Sequence, residues 1–487
     1  MNKKIVAFIL AGTMSAMALS GCGSSSSETS SSQSDAAGVS SAVSESTESN
    51  EGTTAAALDE NEKFTLKIYG PGLLSSQGET GAVDMVTGLE TPGYNVIVDR
   101  WNELHPNVTL DIEGAPWDSW QSAVQTAALS GDLDIILHGA TLTSLVEPLD
   151  DYLASEPDFA SQIYTTETRR TTDYNDLSIP TTTGIPYTLN PEIAYIDTQI
   201  LKDYGVDLPD KNWTWEDLLE IAKKTTGTDP VTGKQTYGVQ IDSMDNANNL
   251  YTNFQLIATA YDAKVFTYGK TVEDSTVDYT SDKSVKVFQM IQDLGQYCSP
   301  EVKEGVNISY ALTADNDTAI RYCQNSYTHY EETETAGVSD RYLFLPMPVI
   351  EEGEHKGDPS IFKGCNNIAI CNTSKHKDWA WEFIKFLVTD PTCVQWFIDC
   401  TQFPNATSGL DNVTEAMGDK AEPVITALKA LPDDFSNSTT EYYNNVSFGP
   451  VPATLGVVTH DLVNDTTTAE EAAQTMQSTI EEYLNTQ

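Results

Sequence analysis

Lys234, the Asp315–Asp317 pair and six histidines are the kinds of residue that hold phosphates, cations and protons, and spacing decides whether they do so. Gly227 to Gly233 followed by Lys234-Gln235 approximates a phosphate-cradling loop. The glycines stand one residue too far apart, and Gln235 replaces the hydroxyl that would hold magnesium. Asp229-Pro230-Val231-Thr232-Gly233-Lys234 reads instead as a turn before a strand over Tyr237–Ile241. Asp315-Asn316-Asp317 lacks the glycine and distal glutamate of a calcium loop and reads as a solvated loop. The histidines show no ligand spacing, and neither G-x-S-x-G nor H-E-x-x-H occurs. Cys298, Cys323, Cys365, Cys371, Cys393 and Cys400 form no C-x-x-C. They read as small buried hydrophobes, with a disulfide among them left open. With 72 Asp and Glu, some carboxylate pair falls by chance at the separation glycoside hydrolysis uses, but nothing singles one out. No catalytic residue, metal or cofactor is expected from these patterns.

Cys22 is different. Lys3 and Lys4 precede an apolar run from Ile5 to about Leu19, interrupted by Gly12, Thr13 and Ser15 and too short to span a membrane comfortably. Leu19-Ser20-Gly21-Cys22 then resembles the bacterial lipobox. That resemblance implies cleavage before Cys22 and a thioether lipid on its sulfur, residues 1–21 being the signal peptide. Residues 22–61 read as a disordered tether: thirteen serines fall between Ser24 and Ser49. Such a stretch buries too little apolar surface to offset its ordering entropy. Acyl chains alone would then hold the protein to the outer face of the cytoplasmic membrane.

The charge balance excludes other partners. Twenty-six Lys and Arg oppose 72 Asp and Glu, a net of −46, which repels nucleic acid and anionic lipid surfaces. At 487 residues the chain exceeds one ordinary domain.

Phe64–Tyr69 alternates as a strand, ended by Gly70-Pro71-Gly72. Tyr94–Leu104 follows as a helix, Val108–Ile112 as a strand, Trp117–Leu129 as a helix and Leu133–Leu137 as an apolar strand suited to a buried parallel sheet. This alternation is an α/β signature. Further on, Ile193–Ile196 and Tyr342–Leu345 read as strands. Thr214 and Asp217 read as a capping box, and Asn249–Tyr261, Ser284–Tyr297, Asp378–Val388 and Ala469–Leu484 as helices.

Taken in order, these segments resemble the family 1 extracellular solute-binding proteins of bacterial ABC importers, most of which bind carbohydrates. The likeness runs over nearly all of 62–487. It is carried by Phe64–Tyr69, Val98–Val108 (VDRWNELHPNV), Leu129–Leu137 (LSGDLDIIL), Gly184–Asp197 (GIPYTLNPEIAYID), Trp213–Ala222 (WTWEDLLEIA), Phe344–Pro348 and, most specifically, Ile368–Asp390 (IAICNTSKHKDWAWEFIKFLVTD). The resemblance implies an α/β, two-lobed periplasmic-binding-protein-like fold (type II) with a hinge between lobes. One lobe would comprise 62–187 plus 363–432, the other 188–362 plus 433–487. Solute would bind between them and closure would be read by ABC permease subunits, the protein itself acting as a monomer without chemistry.

A sugar offers apolar C–H faces and a rim of hydroxyls, so aromatic faces and amide or imidazole groups at strand ends are the expected contacts. Tyr69, Trp117 and His138 lie at such ends in the first lobe. Tyr187, Asn366 and Phe448 fall at the expected crossings, and Asn248, Tyr251, Asn325 and Tyr327 in the second lobe. Trp101, Trp120, Trp213, Trp215, Trp379, Trp381 and Trp396 are expected to be structural. The competing readings are a binding protein for a peptide or polyamine, a surface glycoside hydrolase, and a binding lobe feeding a signalling receptor.

Overall fold

Short β-branched and aromatic runs supply two sheets. The computed structural model describes residues 58–485 apart from 60, 84–87, 118, 170–175, 178, 242–246, 272, 305–311, 362 and 431–449. The signal peptide, Cys22, nearly all of the tether, and Phe448 therefore lie outside the described residues. Thr53–Gln487 is a single compact unit.

The sheet strands are β1 (Phe64–Gly70), β2 (Val108–Gly114), β3 (Ile135–Leu137), β4 (Glu167–Arg169), β5 (Thr181–Pro191), β6 (Ile193–Asp197), β7 (Gly227–Thr228), β8 (Gln235–Gln240), β9 (Thr318–Cys323), β10 (Tyr342–Pro346), β11 (Lys363–Ile370) and β12 (Phe403–Pro404). The principal helices are α1 (Asn95–Leu104), α2 (Trp120–Leu129), α3 (Trp215–Thr225), α4 (Ala247–Ala260), α5 (Asp282–Gly295), α6 (Ser326–Thr335), α7 (Lys377–Thr389), α8 (Pro391–Asp399), α9 (Thr407–Met417), α10 (Glu422–Lys429), α11 (Pro450–Val463) and α12 (Ala469–Leu484).

The first sheet has the order β12-β5-β11-β3-β1-β2, with β4 also on β5. Strands β2 and β3 flank β1 in parallel, as the alternating pattern predicts. The sheet is nevertheless mixed, because β11 runs antiparallel to both β3 and β5. Period-2 alternation sorts its two faces. Leu66, Ile68, Ile135, Leu137, Ile368 and Ile370 pack under α1, α7 and α8, whereas Ile136, Ala369 and Cys371 pack under α2.

The second sheet has the order β10-β6-β9-β8-β7. Helices α3, α4, α5, α11 and α12 surround it in one large core. The expected capping box opens α3: Asp217 N donates to Thr214 Oγ1 at 3.1 Å and Thr214 N to Asp217 Oδ2 at 2.9 Å. The glycine-rich 227–234 stretch is the expected hairpin, with Gln235 paired to Thr228. Asp229 Oδ1 accepts from Val231 and Thr232 amides at 2.7 and 2.8 Å.

One buried spine joins the sheets. All eleven residues of β5 and all five of β6 are buried, with only Glu192 between them. The chain thus passes from one sheet to the other at Glu192. Thr188–Pro191, expected in the second lobe, still pair with β11 in the first sheet. A cluster of Leu189, Ile193, Tyr195, Phe344 and residues of α9 and α10 packs around this passage.

Candidate functional site

Parallel strands present their carboxyl ends together, which is where open α/β sheets bind ligands. In the first sheet this edge begins at Gly70-Pro71-Gly72. Gly70 has φ 138°, and a Cβ there would stand 2.4 Å from Leu137 O, so only glycine lets β1 end against β3. Gly72 has φ 124°, and a Cβ there would fall 2.9 Å from the Tyr187 hydroxyl and 3.0 Å from Asn366 Oδ1.

Three predicted residues converge on this edge. Tyr69, the penultimate residue of β1, packs against the α2 cluster. Trp117 sits in the turn before α2 and is 54% exposed, far more than any helical tryptophan of the chain. His138 follows β3 in the left-handed region, φ 58°. A non-glycine residue held there is an observed strain of the sort that gathers at binding sites. Its amide donates to Asn367 O at 2.7 Å. Its ring meets Trp117 at 5.2 Å and 78°, and Trp120 at 5.5 Å and 79°. Trp120 is therefore core, as expected, and also a wall for the imidazole. Helix α2 starts at Trp120 rather than Trp117, which leaves the Trp117 indole in the loop. Glu113, exposed and in register with Tyr69 on β2, adds a carboxylate to the same face. Sequence reasoning missed Glu113; the strand alternation that placed Tyr69 would also have found it. The edge thus combines an open aromatic face with imidazole and carboxylate groups, the surface a polyhydroxylated ring needs.

Other predicted residues stand differently. Tyr187 lies inside β5, five residues before Glu192, and not at a crossing. It is wholly buried and stacked on Phe397 at 5.6 Å. Burial pushes its hydroxyl well above the usual tyrosine range. Asn366 lies within β11. Its Oδ1 accepts from Leu73 N at 3.2 Å and its Nδ2 donates to Thr188 Oγ1 at 2.9 Å. Both side chains hold the Gly70–Gly72 loop from behind rather than offering open contacts. Asn325 precedes α6 with φ 63°, a conformation asparagine tolerates. Tyr327 is 7% exposed between Tyr330 and Phe403, and burial pushes its hydroxyl up to about 12. It too is mostly packing. Asn248 and Tyr251 fall in the first turns of α4, and their side chains are not among those described.

The sequence profile of the bacterial extracellular solute-binding proteins matches residues 87–392. The chain belongs to that family. It has the two-lobed α/β fold of its solved relatives. A Thermotoga lettingae ABC-transporter solute-binding protein bound to α-D-tagatose is 15% identical with a TM-score of 0.61, the match covering 86% of this chain and 99% of that one. An Agrobacterium radiobacter solute-binding protein in complex with ribitol is 13% identical, TM-score 0.64, covering 87% and 99%. A sugar-binding protein of Xanthomonas citri is 14% identical, TM-score 0.62, covering 87% and 98%. Over 139 residues the chain is 27% identical to an uncharacterized lipoprotein of Streptomyces antibioticus, a stretch that makes up 27% of this chain and 30% of that protein's length.

In this solute-binding protein several other polar and aromatic side chains hold the framework together. Asp134 Oδ2 accepts from Lys67 N at 3.0 Å and Oδ1 from Ser374 Oγ at 2.6 Å, tying β1 to the turn after β11. This is why β3 starts at Ile135, not Leu133. Asn316, expected in a solvated loop, donates to Asp197 Oδ2 at 2.7 Å. Arg341 holds the same buried carboxylate at 2.7 Å. The tryptophans expected to be structural are buried. Trp101 Nε1 donates to Val108 O at 2.9 Å, Trp213 to Pro346 O at 2.9 Å, Trp381 to Glu156 Oε1 at 3.0 Å and Trp396 to Gly93 O at 2.9 Å. The six described cysteines are thiols rather than disulfides, four of them buried.

Proposed function

We propose that this solute-binding protein captures a carbohydrate, a mono- or oligosaccharide, between its lobes and delivers it to the permease of an ABC importer. The observation that carries the reading is the half-exposed Trp117 indole, set edge-on to a strained His138 beside Tyr69 and Glu113 at the carboxyl ends of parallel strands. Relatives that share the fold are described with α-D-tagatose and ribitol, which supports a polyhydroxylated solute.

The first lobe is built on the β1–β2–β3 sheet and the second on the β6–β8–β9 sheet, with the passage at Glu192. Trp117 covers one sugar face, while Tyr69, His138 and Glu113 bond its rim. Asn248, Tyr251 and Asn325 contribute from the second lobe, and Phe448 from the segment before α11. Tyr187, Asn366 and Tyr327 shape the site from behind. Closure is driven only by the difference in solute affinity between closed and open forms. The protein acts as a monomer, changes no covalent bond of the solute, and is tethered outside the cell through a lipid on Cys22.

Tryptophan fluorescence tests the site. A binding sugar should change the emission, and Trp117→Phe should remove most of that change. An undiminished response in Trp117→Phe would remove the edge from the reading. The anchor is tested separately: Cys22→Ala should leave the protein unprocessed or released from membranes, and a variant still processed and anchored would refute it.

A further inference from the structure

The second sheet ends on a thiol engaged by an imidazole. Cys323 closes β9, paired with Ile193 just past the passage between sheets. Its Sγ lies 3.1 Å from His329 Nε2, and Nδ1 of that ring lies 2.7 Å from Glu332 Oε2. His329 and Glu332 are buried at 7% and 8% exposure, while Cys323 is half-buried and within reach of solvent. The left-handed Asn325 turns the chain from β9 into α6, and the i,i+3 spacing puts His329 and Glu332 on one helix face. Tyr195 meets the His329 ring edge-on at 5.0 Å and fixes its plane. An ionised carboxylate only accepts, so Nδ1 carries the proton and Nε2 is left to accept from the thiol.

Nucleophile, base and orienting carboxylate are thus in hydrogen-bond order, the arrangement that activates cysteine elsewhere. We propose that Cys323 is an activated thiol and the chain's site of thiol–disulfide exchange with small disulfides in the extracellular medium. The S–H proton passes to His329 Nε2. The Cys323 sulfur attacks one sulfur of the disulfide, a new S–S bond forms, the old one breaks, and the leaving thiolate takes the proton back. The products are a mixed disulfide on Cys323 and one small thiol. Among the described residues, Arg321 on the same strand interacts with the sulfur and favours thiolate, Tyr195 on the spine feels it too, Glu332 stands behind the imidazole, and Glu192 acts on Tyr195. Among the other described thiols, Cys298, Cys393 and Cys400 are buried. Burial pushes Cys298 and Cys400 up to about 12 and Cys393 well above the usual range. The cluster's geometry gives Cys323 this role whatever the solute.

The test uses the chain from residue 23 onward and 4,4′-dithiodipyridine, a neutral disulfide, between pH 5 and 9, with the labelled peptide mapped by mass spectrometry. One fast equivalent on Cys323 is expected, with a rate midpoint below the ordinary thiol value of about 8.5. Cys323→Ser should abolish it. His329→Gln should slow it about tenfold or more at pH 7 and move the midpoint upward, and Glu332→Gln should do so less. A fast phase mapping elsewhere, or surviving Cys323→Ser, would overturn the proposal. So would a Cys323 rate and midpoint unchanged in His329→Gln, or no thiol faster than the rest.

Discussion

The two faces of the first sheet use the same residue types for opposite ends. Under α1, α7 and α8, Trp101 lies T-shaped to Trp379, Phe383 and Phe386 at 5.2–6.4 Å, fully enclosed, with its N–H bonded to Val108 O. At the carboxyl edge on the α2 side, Trp117 meets a single imidazole and leaves half its surface open. An indole whose faces and N–H are all satisfied contributes stability. One with an unoccupied face exposes apolar surface at a cost, and a ligand that covers it removes that cost. Aromatic supply therefore says little, and position along the strand says much.

The sharpest way to break this contrast is Trp101→Ala, expected to cost about 3–5 kcal/mol of unfolding free energy by denaturant titration. A loss below about 1 kcal/mol would mean that face is not the packed core described. Asp134→Ala comes next. Removing the acceptor of Lys67 N and Ser374 Oγ should cost about 1–3 kcal/mol by the same titration, with solute affinity changed little in the folded fraction. Trp117→Ala should behave oppositely, shifting stability by no more than about 0.5 kcal/mol while weakening the solute about tenfold or more by calorimetry. If instead it unfolds the protein and spares binding, the two faces have been assigned the wrong way round.

The smallest effect concerns pH. Glu351 sits beside Glu216, and burial, then that neighbour, raise its carboxyl to about 7. Below the unfolded value both states bind the proton equally. From there up to about 7 the folded state binds more, so this group destabilises the fold increasingly as pH rises. Glu351→Gln should therefore gain in melting temperature relative to the parent between pH 5 and pH 8, by about a degree or two, since Glu351 is partly exposed. A constant difference across that range would show that Glu351 keeps an ordinary carboxyl.

What the sequence made legible follows the same physics. Alternation located β1 and β2, and a capping box fixed the start of α3 to the residue. The helical spacing of Trp379, Ala380, Phe383, Ile384 and Leu387 announced α7. The spine strand β5 is not among the predicted strands: Gly184, Pro186 and Pro191 interrupt the pattern, and only pairing with β4, β11 and β12 makes it a strand. Asn366, expected at a crossing, likewise lies in the middle of β11. Tyr69, Trp117 and His138 were expected at one edge from their places at or just past strand ends, and the structure brings them to it. Tyr187 was expected at a crossing and Tyr327 in the second lobe from the family resemblance, and long-range packing encloses both. The Cys323–His329–Glu332 cluster needed the turn at Asn325, which no local spacing reveals.

Capture of a carbohydrate is tested most directly by thermal unfolding of the chain from residue 23 onward against a panel of mono- and oligosaccharides, peptides and polyamines. A solute at a hundred times its dissociation constant adds about 2.7 kcal/mol to the folded state, enough to raise the midpoint by a few degrees. The account predicts that rise with a sugar, reduced in Trp117→Ala. A rise only with a peptide or polyamine would leave the family intact and contradict the carbohydrate.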